Sequence, residues 1–468
     1  MRISFFFFGF LISVIPLARC KDSKVNTGEK DLLRPQFHFT ADSNFLSDPN
    51  GLLFYKGKYH LFHQYNPFDI KSGVPQHWGH AVSTDLVHWQ RLPIAIYPHE
   101  GGNIWSGSAV VDKNNTSGLQ NGTDPPIVAF YTWQKDFTQR MTYSNDGGNI
   151  WTEYKQNPVV GHLFENNRDP KVFWYEPTRK WIMLLYTTDF EIFISDNLKQ
   201  WNHASYMNLK DFHECPDFFD LPVDGNRNYK KWVVIDARGS YYIGSFNGFS
   251  FLPEFGPFIS DWNGSNKIFY ATQTFNNMPP EDERRIQIAC MRDRNYKIPW
   301  QNFCNQMTFP CELTLRTTDA GIRLFRYPVR EIEKLYLKKH KWNLKKILPG
   351  IQFNFSSFDL LDIHAVIKPD DASGFNFVIR GINIVYDTGK QEISCEGVNA
   401  PLKKEKDGSV ELRILVDRVS LEIFGNRGMV SQSIYVNIAP DNKSSFVVAK
   451  GGEIEITRLD AAELRSIY

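Results

Sequence analysis

A turn recurs along the first half of the chain, and its spacing limits what the chain can fold into. Ser83-Thr84-Asp85-Leu86-Val87-His88-Trp89 is followed by Ser144-Asn145-Asp146-Gly147-Gly148-Asn149-Ile150-Trp151 and Ser195-Asp196-Asn197-Leu198-Lys199-Gln200-Trp201. A weaker echo is Ser245-Phe246-Asn247-Gly248-Phe249-Ser250-Phe251. The acidic or amide position falls at 85, 146, 196 and 247, in steps of 61, 50 and 51 residues. Ser, Asp and Asn turn a chain by hydrogen-bonding its own backbone, and the aromatic that follows can pin the hairpin. Short strand-like runs surround these turns: 59–63, 127–131, 181–186, 231–235 and 285–289. No helical period of comparable strength is present. At this period an all-β chain predicts a propeller, since solenoid repeats are shorter and more uniform.

Beyond residue 335 the character changes. Leu337-Lys338-Lys339-His340-Lys341 and Lys345-Lys346 read as a polar linker, 336–350. Cleaner alternation follows at 365–367, 375–379, 410–417, 419–424 and 433–436, which predicts a smaller β-sandwich over 351–468. The propeller spans 37–335, after a polar leader at 21–36. The 468 residues carry a net charge of +1 with no long charged run in the body, which argues against nucleic acid or an anionic membrane surface as main partner. Aromatic residues make up 15%, including 12 Trp and 20 Tyr, and such faces suit sugar rings.

Residues 1–20 read as a signal peptide: Met1-Arg2, an apolar run from Ile3 to Pro16, then Ala18-Arg19-Cys20. The run is shorter than the ~20 apolar residues of a membrane span. Secretion is therefore expected, with no membrane attachment after cleavage. Asn114, Asn115, Asn121, Asn263, Asn354 and Asn442 open glycosylation sequons. With Cys20 removed, five cysteines remain, and pairing among Cys290, Cys304 and Cys311 stays open. No cysteine or histidine cluster has metal-ligand spacing, and no cofactor is expected.

Three acidic motifs fall one per presumed blade. Asp48 precedes Pro49-Asn50-Gly51, which reads as a tight turn leading into the strand 52–55. Asp169 lies between Arg168 and Pro170, and the adjacent guanidinium is expected to keep it ionised. Glu214 stands between His213 and Cys215-Pro216, ahead of Phe218-Phe219, where burial would raise its pKa as a general acid needs. Equivalent strand ends of a propeller converge near its axis, so these three can share a pocket.

The ordered motifs resemble glycoside hydrolase family 32, the invertases, inulinases and levanases. The resemblance runs through 34–40, Ser47-Asp48-Pro49-Asn50-Gly51, 60–67, Trp78-Gly79-His80 and Trp105-Ser106-Gly107-Ser108. It continues through 168–172, Glu214-Cys215-Pro216-Asp217, 269–275 and, in the C-terminal part, 415–418 with 422–424. It implies a five-bladed β-propeller followed by a β-sandwich, and retaining double displacement at a fructose C2. By motif, Asp48 is the nucleophile, Glu214 the acid/base, and Asp169 the group that binds fructose hydroxyls and stabilises the transition state. Gln64, Trp78, Ser106 and Arg168 match positions that line the fructose pocket. Ser47, Trp105 and Tyr270 are expected beside them, while His38, His63 and His80 are expected to support structure. A retaining mechanism needs its two carboxyls ~5–5.5 Å apart.

The chain departs from the family pattern in places. Phe45-Leu46-Ser47 stands for the usual Trp-Met-Asn, Gly264-Ser265-Asn266 lacks an expected Asp, and Cys311 replaces an Arg. The leading expectation is a secreted β-fructofuranosidase acting on sucrose, and also on raffinose or fructans. Ser47 keeps a fructosyltransferase open, and a fructan hydrolase fits the same scaffold. A silent sugar-binding propeller and an inverting pentosidase, with carboxyls ~6.5–9.5 Å apart, are the remaining alternatives.

Overall fold

The computed structural model describes residues 32–468 apart from 267, 280, 296, 297, 301, 343 and 344. The signal-peptide segment and Cys20 lie outside the described residues. The described chain is almost entirely β, with three short 3-10 turns.

Residues 44–328 build antiparallel four-strand meanders. The first is Asn44–Tyr55, Lys58–Asn66, His77–Ser83 and Gln90–Ile96, with Phe303–Cys304 added in parallel to its first strand. The second holds Ile104–Val111, Ile127–Trp133, Thr138–Ser144 and Thr152–Glu153, and the third Arg168–Tyr175, Lys180–Tyr186, Phe190–Ser195 and Asn202–Tyr206. A nine-stranded sheet follows. It begins with the meander Asp217–Val223, Asn226–Ile235, Ser240–Phe246 and Phe251–Ile259. One parallel pair, Val223 with Leu315, joins this to Phe269–Thr274, Arg285–Met291, Cys311–Thr318 and Gly321–Pro328.

Each recurring turn closes the third hairpin of its meander. Asp85 Oδ1 accepts the N–H groups of Val87 and His88, and the Trp89 indole donates to the Leu86 carbonyl. Asp146 accepts from Asn149 and Ile150, and Trp151 donates to Gly148. In the third copy the acceptor is Asn197, bonded by Lys199 and Gln200, with Trp201 on Leu198. The repeat therefore sits at 197 rather than 196: Asp196 points outward to Lys180. Asn247 completes the series with Phe249 and Ser250.

First strands of the meanders pack side by side, Asn44–Tyr55 against Ile104–Val111 and Phe269–Thr274, and Ile104–Val111 against Arg168–Tyr175. Buried polar groups tie them together. Lys171 Nζ lies 2.8 Å from Asp217 and donates to Gln273 and the Thr274 carbonyl, while Asn276 Nδ2 reaches the carbonyls of Ala109 and Val172. A buried cation satisfied by three acceptors locks these strands in one arrangement.

Residues 336–464 form two facing sheets, seven- and six-stranded, over a continuous apolar core that includes Ile363, Phe375, Ile414 and Ile456. The basic stretch expected as a linker is part of this unit. Tyr336–Trp342 and Lys345–Ile347 both pair with the last strand, Ile454–Leu464. Its lysines fit because an edge strand needs charge on its exposed face to stay unpaired with other chains.

The two parts meet at a buried ionic cluster. His38 Nδ1 lies 2.8 Å from Asp417 and its Nε2 2.9 Å from Glu422. Glu422 also bonds Arg326 at 2.9 Å, and Asp417 accepts the N–H groups of Gln36, Phe37 and His38. Burial drives the His38 pKa down, but bonds to Asp417 and Glu422 outweigh it and lift the value to about 9. A raised histidine stabilises the fold fully below its ordinary value near 6.5, and that contribution is lost as pH rises through about 9. The melting temperature is expected to fall across that window. His38→Gln, which strands two buried carboxylates, should cost ~3–5 kcal/mol and lose this slope in thermal melts at pH 6 to 10.

His63 and His80 are buried and structural as expected, His63 packed against the Cα of Gly79 and His80 stacked on Phe62 and bonded to His60. Asn263 cannot accept a glycan in the folded chain, since it is 3% exposed and its amide donates to the Ser433 carbonyl. The five described cysteines are all free, and no disulfide links Cys290, Cys304 and Cys311. Cys304 and Cys311 instead donate to the carbonyls of Ile70 and Phe309.

Candidate active site

Four of the first strands deliver groups to one cleft and are irregular where they do so, while Glu214 and Cys215 come from the segment just before the strand Asp217–Val223. The ladder slips between Leu46 and Pro49, placing Ser47 and Asp48 in a bulge. It slips again across Trp105-Ser106, at Asp169-Pro170 and beyond Tyr270. A bulge bends a strand and re-aims its side chains, so regular sheets can direct five groups to one point. Pro49-Asn50-Gly51 is accordingly not a turn ahead of a strand: Asn44–Tyr55 runs straight through it. Gly51 has φ +54°, and a Cβ there would lie 2.7 Å from the Phe62 ring.

Asp48 is held by two hydroxyl donors. Ser47 Oγ donates to Oδ1 at 2.6 Å and Ser106 Oγ to Oδ2 at 3.1 Å. Asp169 and Cys215 adopt left-handed backbone, φ 62° and 53°, as does Ala271 next to Tyr270. For Cys and Ala this is strained, by ~1–3 kcal/mol each, and such strain gathers where a site over-determines the backbone. Asp169 is buried, and its Oδ2 accepts the Cys215 N–H at 3.0 Å and the Cys215 thiol at 3.3 Å. The same sulfur lies 4.0 Å from Asp48 Oδ2, so one thiol bridges two of the three carboxylates.

Glu214 receives Arg168 Nε at 2.8 Å on Oε2 and the Tyr270 hydroxyl on Oε1. Arg168 stacks on Tyr186 and keeps a longer contact, 3.7 Å, to Asp169. This reverses the electrostatics anticipated from the neighbouring letters. Burial, followed by the Glu214 charge, lifts Asp169 to about 7 despite Arg168. Burial pushes Glu214 up as well, but the Arg168 charge and the bonds from Tyr270 and Arg168 outweigh it and hold Glu214 below its usual range. The two acids are thus pushed in opposite directions, Asp169 up and Glu214 down.

Gln64 is buried, and neither amide atom has a hydrogen-bond partner among the described residues. Asn50 Nδ2 is in the same state, although its Oδ1 accepts from Gly107. Unsatisfied buried amides are rare. Trp78 is fully buried and donates to the Trp105 carbonyl, so it supports the wall rather than forming it. Trp105 is half-buried, its edge on Phe137. Two residues near the carboxylates carried no sequence signal as site groups. Arg292 lies 4.0 Å from Asp48 Oδ1 with its guanidinium 4.5 Å over the Tyr270 ring, and Thr132 Oγ1 accepts the Asp169 N–H.

A cavity of about 310 Å³ adjoins Asp48, lined among others by Phe45, Lys71, Gln76, Arg292 and Arg294. A larger one, about 770 Å³, lies at the far end of strand Asp217–Val223, between Arg227, Arg284 and Glu312, away from the carboxylates. Its size does not make it the reaction site, because none of the three acids reaches it.

Two carboxylates flanking a cleft, one held by the hydroxyls of Ser47 and Ser106 and one bonded to Arg168 and Tyr270, suit a glycosidase-type centre. Residues 38–328 match the glycosyl hydrolases family 32 N-terminal domain and 331–463 the family 32 C-terminal domain. The chain belongs to glycoside hydrolase family 32. It is 38% identical to the levanase of Bacillus subtilis over 93% of this chain and 71% of the levanase. Invertase 1 of Saccharomyces cerevisiae is also 38% identical, but over 58% of this chain and 56% of the invertase. The extracellular exo-inulinase of Aspergillus awamori is 29% identical over 93% and 95% of the two chains. A crystal structure of exo-inulinase from that organism superposes with a TM-score of 0.85 at 27% identity, covering 93% and 99%.

Proposed function

We propose that this chain hydrolyses terminal β-D-fructofuranosyl linkages, in sucrose and in fructans, with retention of configuration. The observation that carries the reading is the convergence of Asp48, Asp169 and Glu214 on one cleft, with separate donors on Asp48 and Glu214. Asp48 attacks C2 of the fructosyl unit. Glu214 passes a proton to the leaving oxygen, then takes one from the water that opens the fructosyl-enzyme. Asp169, Gln64 and Arg168 hold fructose hydroxyls, and Ser47 and Ser106 aim the nucleophile.

The four-strand meanders read as five blades, with the nine-stranded sheet holding the last two. Residues 37–335 then form the catalytic propeller, and the sandwich begins at Tyr336. Secretion rests on the Met1–Cys20 pattern and on the extracellular exo-inulinase relative. Fructan hydrolysis gains weight over an invertase restricted to sucrose, because the levanase match spans the chain and the invertase match only part.

Products from sucrose, raffinose, levan and inulin test this. Fructose and glucose in equal amounts from sucrose, and free fructose from levan or inulin, are expected. Glucose in excess over fructose, with kestose-type oligomers, would assign a transferase. Proton NMR of the first product should show β-fructofuranose, and initial release of the α anomer would exclude retention.

A further inference from the structure

We infer that the C-terminal sandwich positions the acid/base: through Ser433 and Asp261 it holds the backbone that carries Glu214. The inference rests on the hydrolysis proposed above and adds two positioning residues that the reaction itself does not touch.

The link is a run of short contacts across three segments. The sandwich strand Val430–Tyr435 grips residues 260–264, the stretch that follows strand Phe251–Ile259. Ser433 donates its Oγ to Asp261 Oδ2 at 2.8 Å and its N–H to Oδ1 at 3.2 Å. From the other side, the Trp262 N–H bonds the Ser431 carbonyl at 2.9 Å and Asn263 Nδ2 the Ser433 carbonyl at 2.7 Å. Trp262 also packs against the sandwich core. Asp261 and Ser433 are fully buried, so breaking their bond leaves a polar group unsatisfied away from water.

The same stretch is fastened to the turn at 236–240. The Ser260 N–H donates to the Gly239 carbonyl at 2.9 Å. Gly264 lies so close to Arg238 that a Cβ there would sit 1.8 Å from the carbonyl oxygen. That turn carries the acid/base segment. The Ala237 N–H bonds the Glu214 carbonyl at 2.9 Å, and Asp236 Oδ2 accepts the His213 N–H at 3.2 Å. Ala237 further packs with Cys215 and Tyr270. Glu214 lies between strands Asn202–Tyr206 and Asp217–Val223, where no strand pairing fixes its backbone. The turn supplies that hold, and the sandwich steadies the turn. Asp48 stands apart from this path, on a strand paired with Lys58–Asn66 and Phe303–Cys304. Loosening the link therefore misplaces the proton donor and spares the nucleophile, so rate is lost where the leaving oxygen needs a proton.

The test compares kcat/KM for fructose release by the full chain from sucrose and from a fructoside of an acidic phenol, which departs without a proton. Ser433→Ala and Asp261→Asn should each lower the sucrose value by about fivefold or more and the phenol value by less than about twofold. Gly264→Ala, which wedges the stretch off the turn, should reproduce this selective loss. Ile414→Val, in the sandwich core but off the link, should lower the melting temperature and leave the ratio of the two substrates as in wild type. If Asp261→Asn does not fold, Ser433→Ala decides, since it keeps the buried carboxylate beside Arg326. Equal losses on both substrates, or no loss on either, overturn the coupling alone and leave an interface that only stabilises the fold. A ratio moved as far by Ile414→Val as by Ser433→Ala overturns it as well. No release from either substrate by the wild type overturns the hydrolytic reading, and the coupling falls with it.

Discussion

Asp48→Asn is expected to lower kcat/KM for fructose release by on the order of 10⁴-fold or more, with the thermal melt almost unchanged. The substitution keeps the volume and leaves Ser47 and Ser106 a partner, so the bulge at 47–48 persists. What disappears is the anion that bonds to C2. Neither remaining acid can take over. Asp169 is buried and fastened to the Cys215 N–H, with its pKa raised to about 7, and Glu214 is engaged by Arg168 and Tyr270. Activity within a hundredfold of wild type, measured on protein with an unaltered melt, would reject Asp48 as nucleophile.

Glu214→Gln should cost ~10²–10⁴-fold on sucrose, where the glucose oxygen needs a proton to depart. A fructoside with an acidic phenol as leaving group needs none, and its fructosylation step should be far less affected. Added azide should then accelerate turnover and yield a fructosyl azide, because a charged nucleophile needs no general base. An equal loss on both substrates would mean that Glu214 holds the site's shape and does not transfer protons.

The pH profile follows from the pair. Asp169 and Glu214 hold one proton between them in the active form, and Asp169, lifted to about 7, is the last to give it up. The alkaline limb of kcat/KM is therefore expected near pH 7. Asp169→Asn removes that reservoir and leaves Glu214 with its depressed value, so the limb should move to lower pH. A limb unmoved in this variant would place the shared proton elsewhere.

Much of this was legible in the chain because it is local. The strand runs at 59–63, 127–131, 181–186, 231–235 and 285–289 all lie in strands, and the Asx turns close the hairpins they suggested. An acceptor two to four residues from its donor needs no tertiary context, which is why a single register slip, at Asp196 and Asn197, was the only error there. The last meander showed no such turn. Its third hairpin closes through Thr318 Oγ1 on the Gly321 carbonyl, without the aromatic anchor.

By itself the sequence determined the β character, the recurring hairpin, the order of the acidic motifs and the family they belong to, since each rests on residues close together in the chain. The tertiary structure alone decided the charges. Arg168 adjoins Asp169 in the chain, yet its Nε is nearer to Glu214, 46 residues away, than to its neighbour, 2.8 Å against 3.7 Å. That one direction pushes the Asp169 pKa up and holds that of Glu214 down. It also decided that Arg292, silent in the sequence, stands beside the nucleophile. Coulomb energy and desolvation depend on distances through space, and the strands that set those distances are brought together only when the fold closes.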